Sequence, residues 1–230
     1  MRLDDTSHPS SLATPLLRVP PPKRLAVFAS GGGSNAQALL QANRSGGLTA
    51  AKVVLVVTNR PTAGVLNVAN EAGVATLVQP KQAFATPEAY DTALLEHLQA
   101  EGIEAIALAG WLRILSPVLV EAYAGCLTNI HPSLLPKFGG LGMYGHHVHE
   151  AVLNANEAWS GCTVHQVTAG VDEGAILAQQ RVPVRLGDTP ETLAQRVLAA
   201  EHQLYAPTLQ TLYARQTSAH YNKNISKTIV

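Results

Sequence analysis

Short apolar runs and amphipathic stretches alternate along the first half of the chain. The apolar runs, which we predict to be buried strands, cover residues 24–29, 51–58, 74–78, 103–109 and 126–130. Stretches with apolar residues at helical spacing lie between them, at residues 35–42, 63–72 and 87–100. The run AKVVLVVT is rich in valine and apolar on both faces, which is typical of a parallel strand covered on both sides. This alternation predicts right-handed crossovers and a parallel sheet.

The pattern changes in the second half of the chain. A short helix is predicted over residues 149–154, and two apolar runs at 163–168 and 175–182 are close enough to pair as a hairpin. A long helix is predicted from residue 189 or 190 to about residue 213. We therefore predict an α/β fold. It has a mostly parallel, twisted sheet of about seven strands, helices on both faces and antiparallel strands at one edge.

The two ends of the chain differ in composition from its middle. Residues 1–22 are rich in proline and predict a flexible leader, and residues 217–230 are polar and predict a peripheral tail. Residues 23–216 are expected to form a single domain, because 47% of the chain is hydrophobic and this is ample for one core. No apolar run approaches the ~20 residues of a membrane-spanning helix, so we expect no membrane association.

Charge and cysteine content narrow the classes of partner. The chain has 16 basic and 16 acidic side chains, which gives no electrostatic reason to expect binding to nucleic acid or to an anionic membrane. Its two cysteines, Cys126 and Cys162, lie in apolar stretches and are predicted to be buried free thiols. Because two cysteines cannot build a disulfide framework, a reducing, cytoplasmic environment is expected.

A glycine-rich loop, Gly31-Gly32-Gly33-Ser34-Asn35, joins the first predicted strand to the first predicted helix, which Ser34 is placed to cap. In such sheets, ligands bind outside the carboxyl ends of the strands. The loop formally fits a dinucleotide fingerprint, but Arg60 follows the second strand where that fingerprint has an acidic residue. Backbone N–H groups and the helix dipole equally suit one phosphate. A tight turn that serves packing alone is the third interpretation.

The sequence NIHPSLLP, residues 129–136, follows the fifth predicted strand. Alternation along the strand end places Asn129 and His131 on the same side, with Ile130 pointing away into packing. An amide N–H donor beside an imidazole suits a reaction that develops negative charge on oxygen. Asp172 lies in the turn between the two late strands. A carboxylate there would hold the imidazolium of His131 and orient a water or a proton relay, although aspartate is also an ordinary turn residue.

Two further stretches have both a functional and a structural interpretation. His165, on the strand before Asp172, either lines the same pocket or satisfies a hydrogen bond in the core. The sequence AGWLRILSP, residues 109–117, directly follows a central strand. It forms either a short core helix or the wall of a pocket for a flat aromatic ligand, whose polar edge backbone groups would bind.

Together, five motifs resemble the glycinamide ribonucleotide formyltransferase family, the folate-dependent transformylases of purine synthesis. They are SGGGSN (30–35), AGWLRILSP (109–117), NIHPSLLP (129–136), DEG (172–174) and AEHQLY (200–205). The similarity covers roughly residues 24–213. It implies a Rossmann-like formyltransferase fold, and a formyl group transferred from 10-formyltetrahydrofolate to the amine of glycinamide ribonucleotide.

The resemblance also implies roles for individual residues. Asn129, His131 and Asp172 would be catalytic. The loop of Gly31, Gly32, Gly33, Ser34 and Asn35 would bind the ribonucleotide phosphate, and Glu201 would contact the ribonucleotide. The folate pocket would be lined by Leu112, Arg113, Ile114 and Leu115. The formyl-folate is a co-substrate, no metal is needed, and the protein is expected to be a cytoplasmic monomer or homodimer.

Two segments depart from the family pattern. Residues 137–149, KFGGLGMYGHHVH, are longer and richer in glycine and histidine than in many members, and we expect a lid or a phosphate-side loop of different shape. Pro87 stands where members can have an arginine that helps to hold the folate tail.

Four other functions are weighed against formyl transfer to the ribonucleotide. Hydrolysis of formyltetrahydrofolate would use the same oxyanion site, and formyl transfer to initiator methionyl-tRNA would favour a longer chain with a basic face. An NADP-binding oxidoreductase would use the glycine loop but leave NIHPSLLP and Asp172 without a role. A non-catalytic ligand-binding module is the fourth.

Overall fold

Seven strands form one sheet in the order β3-β2-β1-β4-β5-β6-β7. The computed structural model describes residues 20–228, with side chains as far as residue 219. Most of the predicted leader, residues 1–19, and the last two residues of the predicted tail lie outside this range. The strands are β1 (Lys23–Phe28), β2 (Ala51–Thr58), β3 (Ala75–Val78), β4 (Ala105–Leu108), β5 (Leu127–His131), β6 (Trp159–Gln166) and β7 (Ile176–Pro183). The helices are α1 (Ser34–Ser45), α2 (Val65–Ala72), α3 (Pro87–Ala100), α4 (Pro117–Ala122), α5 (His146–Asn154) and α6 (Pro190–Thr228).

The first five strands are parallel, whereas β6 pairs with β5 and β7 pairs with β6 in antiparallel directions. The predicted fold class, a mostly parallel sheet with antiparallel strands at one edge, is therefore confirmed. The strand order reverses direction between β1 and β4, which is the switch point where a crevice is expected. The loops after these strands are joined there: Ser30 donates its N–H to the Gly110 carbonyl at 3.0 Å, and its hydroxyl accepts from Leu112 N–H at 3.1 Å.

The sheet separates two apolar cores. Alternate residues of β1 enter opposite cores, with Leu25 and Val27 on one face and Ala26 and Phe28 on the other. Helices α1, α2 and α6 cover the first face, and α3 and α4 cover the second. A smaller apolar cluster joins α5, α6 and the antiparallel strands. Burial on both faces explains why the parallel strands are continuous apolar runs.

Two sequence predictions about elements were wrong, and one helix was missed. The last helix continues to Thr228 instead of ending near residue 213. Helix α4 was not predicted, because its apolar residues directly follow the AGWLRILSP stretch and only six of them are helical. Residues 146–148 form the first turn of α5 rather than part of a loop. No helix in residues 20–228 is both long and apolar enough to cross a bilayer.

Candidate active site

A cavity of about 710 Å³ opens at the carboxyl ends of β4 and β5. Its walls come from the loops 110–115, 140–145 and 167–172, from residues 129–132, and from side chains of α1, α5 and α6. Every residue predicted to be catalytic and every residue predicted to bind folate lines it, and so do Asn35 and Glu201. Gly31, Gly32, Gly33 and Ser34 lie outside its lining.

Asp172 lines the cavity and lies between two imidazole rings. Its Oδ2 is 3.4 Å from His131 Nδ1, and its Oδ1 is 3.5 Å from His165 Nε2. Gly140 donates its backbone N–H to Asp172 Oδ2 at 3.0 Å. Asn129 completes the cluster, because its Nδ2 lies 3.1 Å from His165 Nε2. The structure thus brings together the three predicted catalytic residues and adds His165.

Strand pairing accounts for this arrangement. Asn129 and His131 are two residues apart on β5 and share one face, while Ile130 packs in the core on the other face. His165 on β6 is the pairing partner of Asn129. Because β6 runs antiparallel and ends opposite Thr128, the following loop must fold back to reach His131, and Asp172 takes a left-handed conformation with φ 59°.

Burial and neighbouring groups shift the pKa values of His131 and Asp172 in opposite directions. Burial lowers the pKa of His131, and the neighbouring Asp172 carboxylate raises it only in part. Burial raises the pKa of Asp172, but its contacts with the side chains of His165 and His131 outweigh burial and leave the pKa below its ordinary value. Asp172 is therefore a carboxylate at neutral pH. His131 Nε2–H donates to the Phe138 carbonyl at 2.8 Å, so both ring nitrogens of His131 face protein acceptors.

A buried carboxyl group lies at the α6 side of the cavity. Glu201 is 6% exposed, and its Oε2 accepts a hydrogen bond from Asn35 Nδ2 at 2.6 Å. Burial raises the pKa of Glu201 to about 7, with the hydrogen bond from Asn35 acting in the opposite direction. The Asn35 Oδ1 atom is also buried and has no protein partner. Both residues line this end of the cavity.

The glycine loop serves packing at one end and is open at the other. Gly33 precedes α1 with φ 83°, so the predicted cap Ser34 is instead the first residue of the helix. A Cβ atom on Gly33 would lie 2.6 Å from Val65 Cγ2, and Gly31 accepts a hydrogen bond from Val65 N–H. By contrast, Gly31 and Gly32 are exposed and have open space where a side chain would be. The packing interpretation thus explains Gly33 but not its two neighbours.

The predicted folate segment is an irregular wall, not a short core helix. Leu112 and Ile114 expose about half or more of their side chains at the cavity rim. The guanidinium of Arg113 lies 3.8 Å from the centre of the Tyr90 ring, a cation–π contact. Asp91, which is fully buried, accepts a hydrogen bond from the backbone N–H of Ser116. Helix α3 therefore holds the wall in place.

Comparison with known proteins identifies the family of this chain. Residues 23–209 match the family described as Formyl transferase. The chain belongs to the formyl transferase family. The resemblance inferred from five motifs is confirmed, because the matched region contains all of them.

Its relatives place this formyl transferase within a narrower group. A phosphoribosylglycinamide formyltransferase of known structure from Brucella melitensis is 47% identical, with a TM-score of 0.78 over 84% of this chain and 96% of that one. The chloroplastic phosphoribosylglycinamide formyltransferase of Arabidopsis thaliana is 43% identical over 184 residues, 80% of this chain. The trifunctional purine biosynthetic protein adenosine-3 of Drosophila pseudoobscura pseudoobscura is 47% identical over 195 residues, 84% of this chain. The formyl transferase spans 63% of the plant relative and 14% of the insect one.

In the segment that departs from the family pattern, residues 137–149, the histidines lie at the start of α5. His146 and His149 line the cavity. His146 approaches Glu150 at 3.1 Å and Glu191 at 3.5 Å. His149 is buried, and burial lowers its pKa to about 4, so it is neutral at pH 7. Across the described part of the chain, no group of three or more histidine, cysteine, aspartate or glutamate side chains is arranged to hold a metal ion.

Pro87, the other departure, begins α3. Thr86 accepts a hydrogen bond from Ala89 N–H at 3.1 Å, and Pro87 occupies the first turn, where its missing N–H costs nothing. This position thus serves helix initiation in the present chain.

Proposed function

We propose that this formyl transferase transfers the formyl group of 10-formyltetrahydrofolate to the amine of glycinamide ribonucleotide. The products are formylglycinamide ribonucleotide and tetrahydrofolate, a step of de novo purine synthesis. The names of the relatives support this acceptor. The observation that carries the proposal is the position of the Asn129, His131 and Asp172 cluster. The cluster shares one cavity with the wall at Leu112–Leu115 and with the polar pair of Asn35 and Glu201.

The cluster suits acyl transfer through a tetrahedral intermediate. The ribonucleotide amine attacks the formyl carbon, forming a C–N bond and placing negative charge on the formyl oxygen. An Asn129 N–H and protonated His131 stabilise that oxygen, and for this His131 exchanges its contact with the Phe138 carbonyl for one with the substrate. Asp172 supports the positive charge on His131. Collapse breaks the bond to the folate nitrogen, and the proton lost by the attacking amine reaches that nitrogen through His131 or water held at Asp172.

We assign each of the two substrates to one part of the site. In our proposal, Leu112, Arg113, Ile114 and Leu115 contact the flat pterin, with backbone groups bonding its polar edge. The open backbone of Gly31 and Gly32, with Ser34 and Asn35 at the start of α1, binds the phosphate, because the N-terminus of a helix favours an anion. Gly33 supports that loop by its contact with Val65. Glu201 accepts a hydroxyl hydrogen of the ribose.

Several expectations belong to the proposal and remain predictions. They are a single domain over residues 23–216, a monomeric or homodimeric state, a cytoplasmic location, and catalysis without a metal ion.

The decisive measurement is dependence on the acceptor. Purified protein with both substrates should produce tetrahydrofolate, followed by absorbance, and omission of glycinamide ribonucleotide should leave only slow formate release. Equal rates with and without the ribonucleotide would establish hydrolysis instead.

The His131→Ala variant separates binding from chemistry in the same assay. We expect ribonucleotide affinity, measured by calorimetry, to be retained and kcat to fall about 10²–10³-fold, the usual effect of losing one group that stabilises the oxyanion. Lost affinity with a normal rate at saturation would remove His131 from the chemistry.

A further inference from the structure

His165 lies behind Asn129, and its hydrogen bonds fix which of its nitrogens carries hydrogen. Its Nδ1 is 2.9 Å from the carbonyl oxygen of Gln166. A carbonyl oxygen can only accept a hydrogen bond, so Nδ1 is the protonated nitrogen of the ring. In the neutral ring, Nε2 is then an acceptor. The ring is 2% exposed, so water does not compete for these contacts.

The acceptor on His165 determines the orientation of the Asn129 side chain. Asn129 Nδ2 lies 3.1 Å from His165 Nε2, a distance suited to donation from the amide. An amide nitrogen carries two hydrogens, of which this bond uses one. The other N–H remains free, and Asn129 lines the cavity. An Asn129 side chain flipped by 180° would instead present its oxygen to the cavity, where it would repel an oxyanion.

Asp172 does not displace Asn129 as the hydrogen-bond partner of His165 Nε2. Its Oδ1 approaches the same Nε2 atom but at 3.5 Å, and its Oδ2 is shared between His131 and the Gly140 N–H. Two charged rings around one carboxylate would repel each other, so at most one ring carries the charge. A protonated His165 would turn an N–H toward Asn129 Nδ2 and break the bond between them. Donation from Asn129 Nδ2 to His165 Nε2 therefore goes with the neutral form of the ring.

We infer that His165 is a positioning residue, which holds the Asn129 amide with one N–H directed at the formyl oxygen. The inference rests on the proposed formyl transfer. It assigns His165 no contact with either substrate, so its loss should act on kcat through Asn129 and leave both KM values nearly unchanged.

The test compares three replacements of His165. Leucine removes the acceptor, and the amide oxygen of asparagine falls short of Asn129, whereas that of glutamine reaches the position of Nε2. We expect His165→Leu and His165→Asn to lower kcat about 10–100-fold, the usual size of effect for a misplaced catalytic group. His165→Gln should remain within about fivefold of the unmodified protein. Equal losses in the glutamine and asparagine variants would overturn the inference, even if the leucine variant fails to fold.

A double-mutant cycle identifies the residue through which His165 acts. In an Asn129→Ala background, His165→Leu should change kcat less than about threefold, because the group being positioned is already gone. In an Asp172→Asn background the loss should keep its full size. The reverse pattern would show that His165 acts on Asp172.

Nuclear magnetic resonance of the ligand-free protein keeps this inference separate from the proposed function. With ¹⁵N-labelled histidine, His165 should be the Nδ1–H tautomer at pH 7, and the side-chain amide signals of Asn129 should shift in His165→Leu. An Nε2–H or doubly protonated ring would overturn the inference whatever reaction the protein catalyses. Absent transfer with the expected tautomer would count against the proposed function alone.

Discussion

Two glycines at the ends of α1 show how one backbone conformation can have different causes. Gly33 has φ 83° before the helix and Gly46 has φ 81° after it. A side chain at Gly46 would meet no atom within 4 Å, whereas at Gly33 it would contact both the backbone and the side chain of Val65. Gly46 therefore needs only its conformational freedom, and Gly33 needs space as well.

Replacement of each glycine by alanine separates these two needs. We expect Gly46→Ala to lower the free energy of unfolding by about 1 kcal/mol, the cost of a left-handed alanine. Gly33→Ala should cost about 2–4 kcal/mol, because overpacking against Val65 adds to that strain. Urea unfolding measures both values. Equal losses would show that α2 moves away freely and that the contact with Val65 is not a constraint.

Helix α3 and the wall that follows β4 depend on one buried carboxyl group. Asp91 is fully buried on α3 and accepts the Ser116 N–H, and burial raises its pKa above the ordinary value. Without this acceptor the Ser116 N–H would be buried and unpaired, which costs about 1–3 kcal/mol. The effect should extend to residues 112–115, which Asp91 and the Arg113–Tyr90 contact hold against the helix.

We therefore expect Asp91→Ala to lower the free energy of unfolding by about 1–3 kcal/mol and to raise the KM for the formyl donor several-fold. Denaturant unfolding and steady-state kinetics measure the two effects. Glu88→Ala, on the exposed side of the same helix, is the matched control and should change stability by less than about 0.5 kcal/mol. An unchanged KM for the formyl donor in Asp91→Ala would show that the position of residues 112–115 does not depend on α3.

The sequence predicted elements where one local signal dominated. Ala51–Thr58 and Pro87–Ala100 have the predicted bounds, because a continuous apolar run and a proline-initiated amphipathic stretch each leave one interpretation. Asn129 and His131 were placed on one face by alternation alone. The meeting of Asp172 with His131 was a hypothesis, since the position of that turn depends on the register in which β6 pairs with β5, which one sequence does not show.

Other parts of the site had no local signal. His165 was left between two interpretations, and it fulfils both, because it lines the cavity and also bonds to the Gln166 carbonyl. The partners of Asp91 and Arg113 lie on other elements, so no spacing along the chain indicates them. The glycine loop left three interpretations open, because a contact with Val65 is a property of the assembled fold.

For the molecule as a whole, Glu201 couples stability to pH. Its pKa rises from an ordinary 4.5 to about 7 on folding, so between these values the native state binds more protons than the unfolded state. The free energy of unfolding therefore falls as pH increases through this range, and the loss is complete above pH 7. A shift of this size corresponds to about 3 kcal/mol.

Glu201→Gln isolates this contribution, because glutamine has nearly the same shape and does not titrate. We expect unmodified protein to lose up to about 3 kcal/mol relative to Glu201→Gln between pH 4.5 and pH 7.5. Chemical denaturation at several pH values measures the difference. Glu121→Gln, on the exposed surface of α4, is the control, and its free energy of unfolding should change with pH as that of the unmodified protein does. If the free energy of unfolding of Glu201→Gln also changed with pH as in the unmodified protein, Glu201 would be charged throughout this pH range.

The hydrogen bond between Asn35 and Glu201 joins residues that are 166 positions apart. A ribosome makes Asn35 early and Glu201 late, so the nascent chain carries the glycine loop long before its partner exists. The polar end of the cavity is therefore assembled only after α6 has been synthesised as far as Glu201 and has docked on α1. Substrate bound at that end would stabilise the finished chain, but it could not assist the folding of a shorter one.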